Sequence, residues 1–183
     1  MKTKVKILFA AILFVGMAGS AFAQTSADAT TSATVQTALS ISSSADVEFG
    51  TVSVSTTPSI NASTGVTEYC GSGANLGKFT VAGSGGASVN VTFSDDDLKA
   101  TVEAVEYTIS FSPSVYRTAV TAATDGETSV SSGSDYTVNN TAEGGKVIGT
   151  DHFFVGGTLS VGDIVANPAA TYTGTFTMTV AYN

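Results

Sequence analysis

Apolar residues in this chain recur at every second position, segment after segment. From Tyr172 the even positions read Tyr172, Gly174, Phe176, Met178, Val180 and Tyr182, while Thr171, Thr173, Thr175, Thr177 and Thr179 hold the odd ones. A period of two matches the alternation of side chains across a pleated strand and turns one apolar face toward a core. The same period runs through Ala33, Val35, Thr37, Leu39 and Ile41, through Val89, Val91 and Phe93, and through Val105, Tyr107, Ile109 and Phe111. Shorter stretches add further strands: VEFGTVSV from Val47, GKFTVAG around Phe79 and Val81, KVIG, FFVGGTLSV, and weak signals near Val130 and Val138. Clusters of Ser, Thr, Gly, Asn and Pro separate them, and STTPSINASTG reads as a loop. This rhythm predicts an all-β protein, an immunoglobulin-like β-sandwich of about eight or nine strands.

Composition supports strands over helices. Only 12% of residues are charged, whereas long helices usually carry more Glu, Lys and Arg. Thr and Val suit a half-buried sheet surface. The stretch DDDLKATVEAV from Asp95 leaves two readings open, a helical turn or a polar turn followed by a strand.

The first residues have a different character. Lys2, Lys4 and Lys6 precede an apolar run from Ile7 to Val15, and Ala21-Phe22-Ala23 follows. That order predicts a secretory signal at 1–23, cleaved before Gln24. The run is short for a membrane span. The expected organisation is signal 1–23, an alternating segment 24–45, and a sandwich 46–183. Without Lys2, Lys4 and Lys6, four basic residues face fifteen acids, a net charge of −11. Such a surface repels nucleic acid and anionic membranes, so neither is expected as a partner. Cys70 is the single cysteine, so no internal disulfide can reinforce the exported fold.

No residue set points to catalysis, a cofactor or a metal. His152 is the sole histidine, and its neighbour Asp151 should point to the opposite strand face. It reads as a partly exposed strand-end residue. Asp95-Asp96-Asp97 offers hard oxygen ligands, but the spacing of a calcium loop is absent, and a solvated turn is expected. GSGGAS at 83–88 lacks the lysine and helix of a phosphate loop and reads as a tight turn. Asn61, Asn90 and Asn139 each open an Asn-x-Ser/Thr triplet.

The two ends of the secreted part, TTSATVQTALSISSSADVEFGTVSV and YTGTFTMTVAYN, resemble those of chaperone–usher pilins, especially the archaic branch and the related spore coat U proteins. Those proteins pair an alternating N-terminal segment and a Leu/Val-x-Phe-Gly strand with a closing strand that ends in alternating apolar residues. The whole secreted part is still more similar to an exported bacterial family known as domain of unknown function 4402. Phe49-Gly50-Thr51, the run Phe154 to Leu159, and Tyr172 to Phe176 carry that likeness. Ser42-Ser43-Ser44 stands where archaic pilins commonly carry a cysteine, and Ala170 where many pilins place a glycine.

The pilin resemblance implies an exported structural or adhesive subunit of a cell surface or fimbrium. Its sandwich would lack a strand beside the C-terminal one, and a neighbour's N-terminal segment would supply it by β-strand addition. The implied donor face is Ala33, Val35, Thr37, Leu39 and Ile41. The implied acceptor is the strand of Tyr172, Gly174, Phe176, Met178, Val180 and Tyr182. The implied partners are other copies, related surface subunits and a periplasmic chaperone. That the chain stops at Asn183, on its most regular strand, fits a strand supplied by another molecule. The same alternation also fits a segment folded back on its own sandwich. Two other readings stand beside these: a monomeric secreted sandwich that binds carbohydrate or another surface ligand, and a small outer-membrane barrel.

Overall fold

A computed structural model describes residues 27–119, 128–139, 141–143 and 146–183. The expected signal at 1–23 lies outside them. Met1–Thr34 forms one unit and Val35–Asn183 another. In the first, the described residues 27–34 are exposed and without regular structure. The second is all-β, as the periodicity predicts, with twelve strands and no helix among the described residues.

In chain order the strands are β1 (Ser40–Ala45), β2 (Ser59–Ile60), β3 (Thr67–Glu68), β4 (Gly77–Ser84), β5 (Ser88–Asp95) and β6 (Leu98–Val102). There follow β7 (Val105–Thr118), β8 (Thr128–Val130), β9 (Ser134–Thr137), β10 (Thr141–Glu143), β11 (Lys146–Ser160) and β12 (Phe176–Tyr182). The long strand β11 organises the larger sheet. It pairs antiparallel with β4 over Ile148–Val155 and with β7 over His152–Ser160. β1 adds to the outer side of β4, and β8 to β7. The smaller sheet has the order β12-β5-β9.

The two sheets pack face to face. Val81 of β4, Val91 of β5, Val115 of β7, Phe153 and Val155 of β11, and Met178 of β12 form one buried cluster. Phe176 bridges the layers, its ring 5.9 Å from Phe79 and 5.6 Å from Phe93. A second cluster of Phe49, Ile60, Ile109, Phe111, Leu159 and Val161 fills one end of the sandwich. Alternation on β7 brings Ile109, Phe111 and Val115 inward together, as a period of two requires.

Two local readings are revised, and for DDDLKATVEAV the polar turn followed by a strand is the one found. VEFGTVSV is not a strand. Gly50 takes a left-handed φ of +66°, and a side chain there would meet the Ser72 carbonyl oxygen at 2.8 Å. The extended path breaks at that glycine. Glu48 instead makes a single bridge with Asn75, while Phe49 stays buried edge-on against Phe111. DDDLKATVEAV resolves to a hairpin, with Glu103 and Ala104 both left-handed between β6 and β7, the geometry of a two-residue turn. The loop STTPSINASTG contains the two-residue strand β2, whose Ile60 is buried in the core. GSGGAS does form the expected turn, with Ala87 N–H bonded to Ser84 O at 3.1 Å.

Phe153 is fully buried between the sheets. Phe153→Ala is expected to cost about 3–5 kcal/mol, read as a lower urea midpoint with the fold retained.

Candidate assembly site

β12 alternates as its sequence does. Met178 is buried and Phe176, Val180 and Tyr182 are half-buried, while Thr177, Thr179 and Ala181 face solvent. Tyr172 and Gly174 precede the strand. Tyr172 donates its hydroxyl to Pro168 O at 3.0 Å, and Thr173 bridges to Lys99. Among the described residues, β12 has one strand neighbour, β5.

The pattern of the ladder shows what lies on the other edge. Asp96 N–H donates to Thr175 O at 3.0 Å, and Asn183 N–H donates to Ser88 O at 3.2 Å. Backbone groups of successive residues in an antiparallel strand point to alternate sides. The odd residues therefore bond toward β5. The N–H and C=O groups of Phe176, Met178, Val180 and Tyr182 point away from it, toward an edge that no described strand covers.

A cleft of about 980 Å³ opens beside the start of this strand. One wall is the irregular segment from Ala45 to Val52, the other the segment from Pro168 to Phe176. Ile109, Phe111, Leu159 and Val161, all core residues, line it between the walls. Asp46, Glu48 and Asp96 also line it, so the cleft is apolar with acidic groups among its walls. Among the described residues nothing fills this flank between the sheets, which is open to solvent.

The N-terminal segment divides at this flank. Val35 is 93% exposed, Thr37 is exposed, and Ala33 is exposed within its own unit. Leu39 packs on the first core cluster. Ile41 sits opposite Val81 in the β1–β4 ladder and is 36% exposed. The donor face drawn from the sequence therefore falls into two parts, one turned to solvent and one joined to the chain's own sheet. Tyr182 marks the division. Its hydroxyl donates to Thr37 O at 2.8 Å and accepts from Ser84 N–H at 2.6 Å, and Thr37 N–H donates to Ser84 Oγ at 2.6 Å.

His152 is not at a strand end. It lies within β11, is buried, and its Nδ1 is 3.1 Å from Thr80 Oγ1. Asp151 is fully buried and accepts from Arg117 Nε at 3.1 Å and from Asn139 N–H at 2.9 Å. Arg117 also stacks 4.5 Å above the Tyr136 ring. This cluster ties β7, β9 and β11 together. Burial, reinforced by Asp151, pushes the Tyr136 phenol far up. The sequence carried a signal for the cluster, since Asp151 shares the parity of Phe153 and Val155 and the chain's single arginine lies on a strand. Asp97 Oδ1 accepts from Phe111 N–H at 3.1 Å. Among the described residues, no group of three or more His, Cys, Asp or Glu could hold a metal. Cys70 is half-buried, its thiol pushed up by burial and held near Ser59 O and Glu68 O.

The walls of the cleft were not legible in the sequence. Pro168 to Thr171 shows no period, and Phe49 and Phe111 come together only through the fold.

A family model, domain of unknown function (DUF4402), matches residues 34–182. The chain belongs to that family. No curated protein and no solved structure matches it.

Burial, with Lys78 nearby, holds the His152 imidazole below its ordinary 6.5. The unfolded chain then takes up a proton that the folded chain resists. This contribution to stability is complete above about pH 6.5 and is lost as pH falls through that value toward the lower folded one. In His152→Gln this component is absent. The wild type's stability relative to the variant should fall as pH drops below about 6.5, measured as paired urea midpoints. A constant difference would contradict it.

Proposed function

We propose that this protein is an exported, non-enzymatic surface subunit, pilin-like in its assembly. Other copies of the chain or related subunits would complete its open flank by donor-strand complementation. The observation that carries this reading is the coincidence of a one-sided β12 ladder with an apolar cleft that reaches the core beside it. Either feature alone is common on β-proteins. Together they offer what an incoming strand needs: outward-facing backbone groups for hydrogen bonds, and space for alternate side chains.

The exposed alternating segment before Thr37 is the donor. Each ladder bond contributes about 0.5–1.5 kcal/mol, and burying a side chain such as Val35 adds about 1.5–3 kcal/mol. Ordering the donor costs about 1–2 kcal/mol per residue, so a stable junction needs both ladder and pockets. Donation from one copy to the next does not close on itself and yields a filament. An uncovered edge also aggregates, so a periplasmic chaperone that covers β12 before assembly fits the same geometry.

Deleting Ala27–Thr37 should leave a chain that cannot donate but still accepts. It is expected to form no filament, and to elute as a monomer in size-exclusion chromatography once a peptide covers its β12 edge. It should also bind a synthetic peptide of those residues, with a Val35→Asp peptide at least about tenfold weaker (about 1.4 kcal/mol). A shortened chain that assembles as the full one does would refute the proposal.

A further inference from the structure

Resting on the strand-donation reading, we propose that Tyr182 is a positioning residue that sets how much of the N-terminal segment is given to a neighbour. Its hydroxyl holds the chain at Thr37, so that residues before Thr37 are donated and those after it stay in their own sheet.

The geometry is specific. One oxygen serves two partners on separate parts of the chain, as donor to Thr37 O at 2.8 Å and acceptor from Ser84 N–H at 2.6 Å. Thr37 N–H closes the ring onto Ser84 Oγ at 2.6 Å. The clamp thus joins the end of β12, the end of β4 and the root of the exposed segment. The ring reaches this point because residue 83 is glycine. A Cβ there would lie 2.6 Å from the Tyr182 hydroxyl oxygen and 2.9 Å from Leu39 Cδ1.

The clamp falls where the segment changes character. Beyond it, Leu39 is packed on the core and β1 is bonded to β4. Before it, Val35 is almost wholly exposed. A donor longer than this would strip β1 from its own sheet, and a shorter one would forgo Val35. The hydroxyl also lies at the last pair of the β12–β5 ladder, Tyr182 with Val89. The root of the donor is therefore fixed at one end of the acceptor edge, while the cleft adjoins Phe176 at the other.

Tyr182→Phe keeps the ring and removes the hydroxyl. Hydrogen exchange would be followed by mass spectrometry on monomer and on assembled protein, for the full chain and for the variant. In the wild type, assembly should protect the residues before Thr37 and leave Ser40–Ala45 unchanged. In the variant the boundary should move beyond Thr37 into β1. Ser84 N–H should exchange about tenfold faster in the variant monomer, the loss of a single hydrogen bond. Exchange at Val91 and Val155, in the core, should not change. The same boundary and the same Ser84 rate in both proteins would overturn the clamp and leave donation standing. Absence of assembly-dependent protection anywhere before Ala45, in both proteins, would overturn donation and the clamp with it.

Discussion

Among the described residues β12 is hydrogen-bonded along one edge only, and the open flank follows from that asymmetry. A strand with one neighbour presents half its backbone groups to whatever lies beside it. Here Phe176, Met178, Val180 and Tyr182 carry those groups, and the same four residues turn their side chains inward. A strand added at this edge would therefore extend the ladder and the core together. The larger sheet does not close the gap. Its outermost strand, β1, is bonded to β4, and Thr37, which precedes β1, is held by the Tyr182 hydroxyl. The flank is tied at that end and open as a cleft at the other.

The remainder of the fold explains how the flank can stay open without collapse. β11 is paired on one side with β4 over Ile148–Val155 and on the other with β7 over His152–Ser160. The buried Asp151 is engaged by half-buried Arg117 and the backbone of Asn139. Removing one partner of such a pair is costly, so it favours one arrangement of the strands around it. Phe153 and Val155 pack beside it on the same face. The frame is paired and packed away from the flank, and the cleft lies on the side where β12, the 45–52 segment and the 168–176 segment meet.

Much of this was written in the period of the sequence. Alternation alone predicted which side of β12, β5 and β7 faces inward, because burial on a strand has few other solutions. It failed where geometry is set by a single residue or a distant partner. Phe49 is buried as its pattern suggests, but the left-handed Gly50 takes it out of a strand. Ile60 sits in a polar loop with no period and is nevertheless core. His152 reads as a strand end because polar and charged residues rarely occupy a buried strand. Arg117, far away in sequence, neutralises the adjacent Asp151 and lets β11 run through. The N-terminal segment shows the same limit. Its alternation from Ala33 to Ile41 is continuous, and only the fold shows that Leu39 and Ile41 are already engaged.

The most direct test of the central claim is contact at the outer edge of β12 in assembled protein. Assemblies mixed from nitrogen-15-labelled and carbon-13-labelled chains would be measured by magic-angle-spinning NMR. Cross-peaks between chains should connect the amides of Met178 and Val180 with residues before Thr37. If those amides show contacts only within their own chain, the open flank is not where subunits join, and the account is wrong.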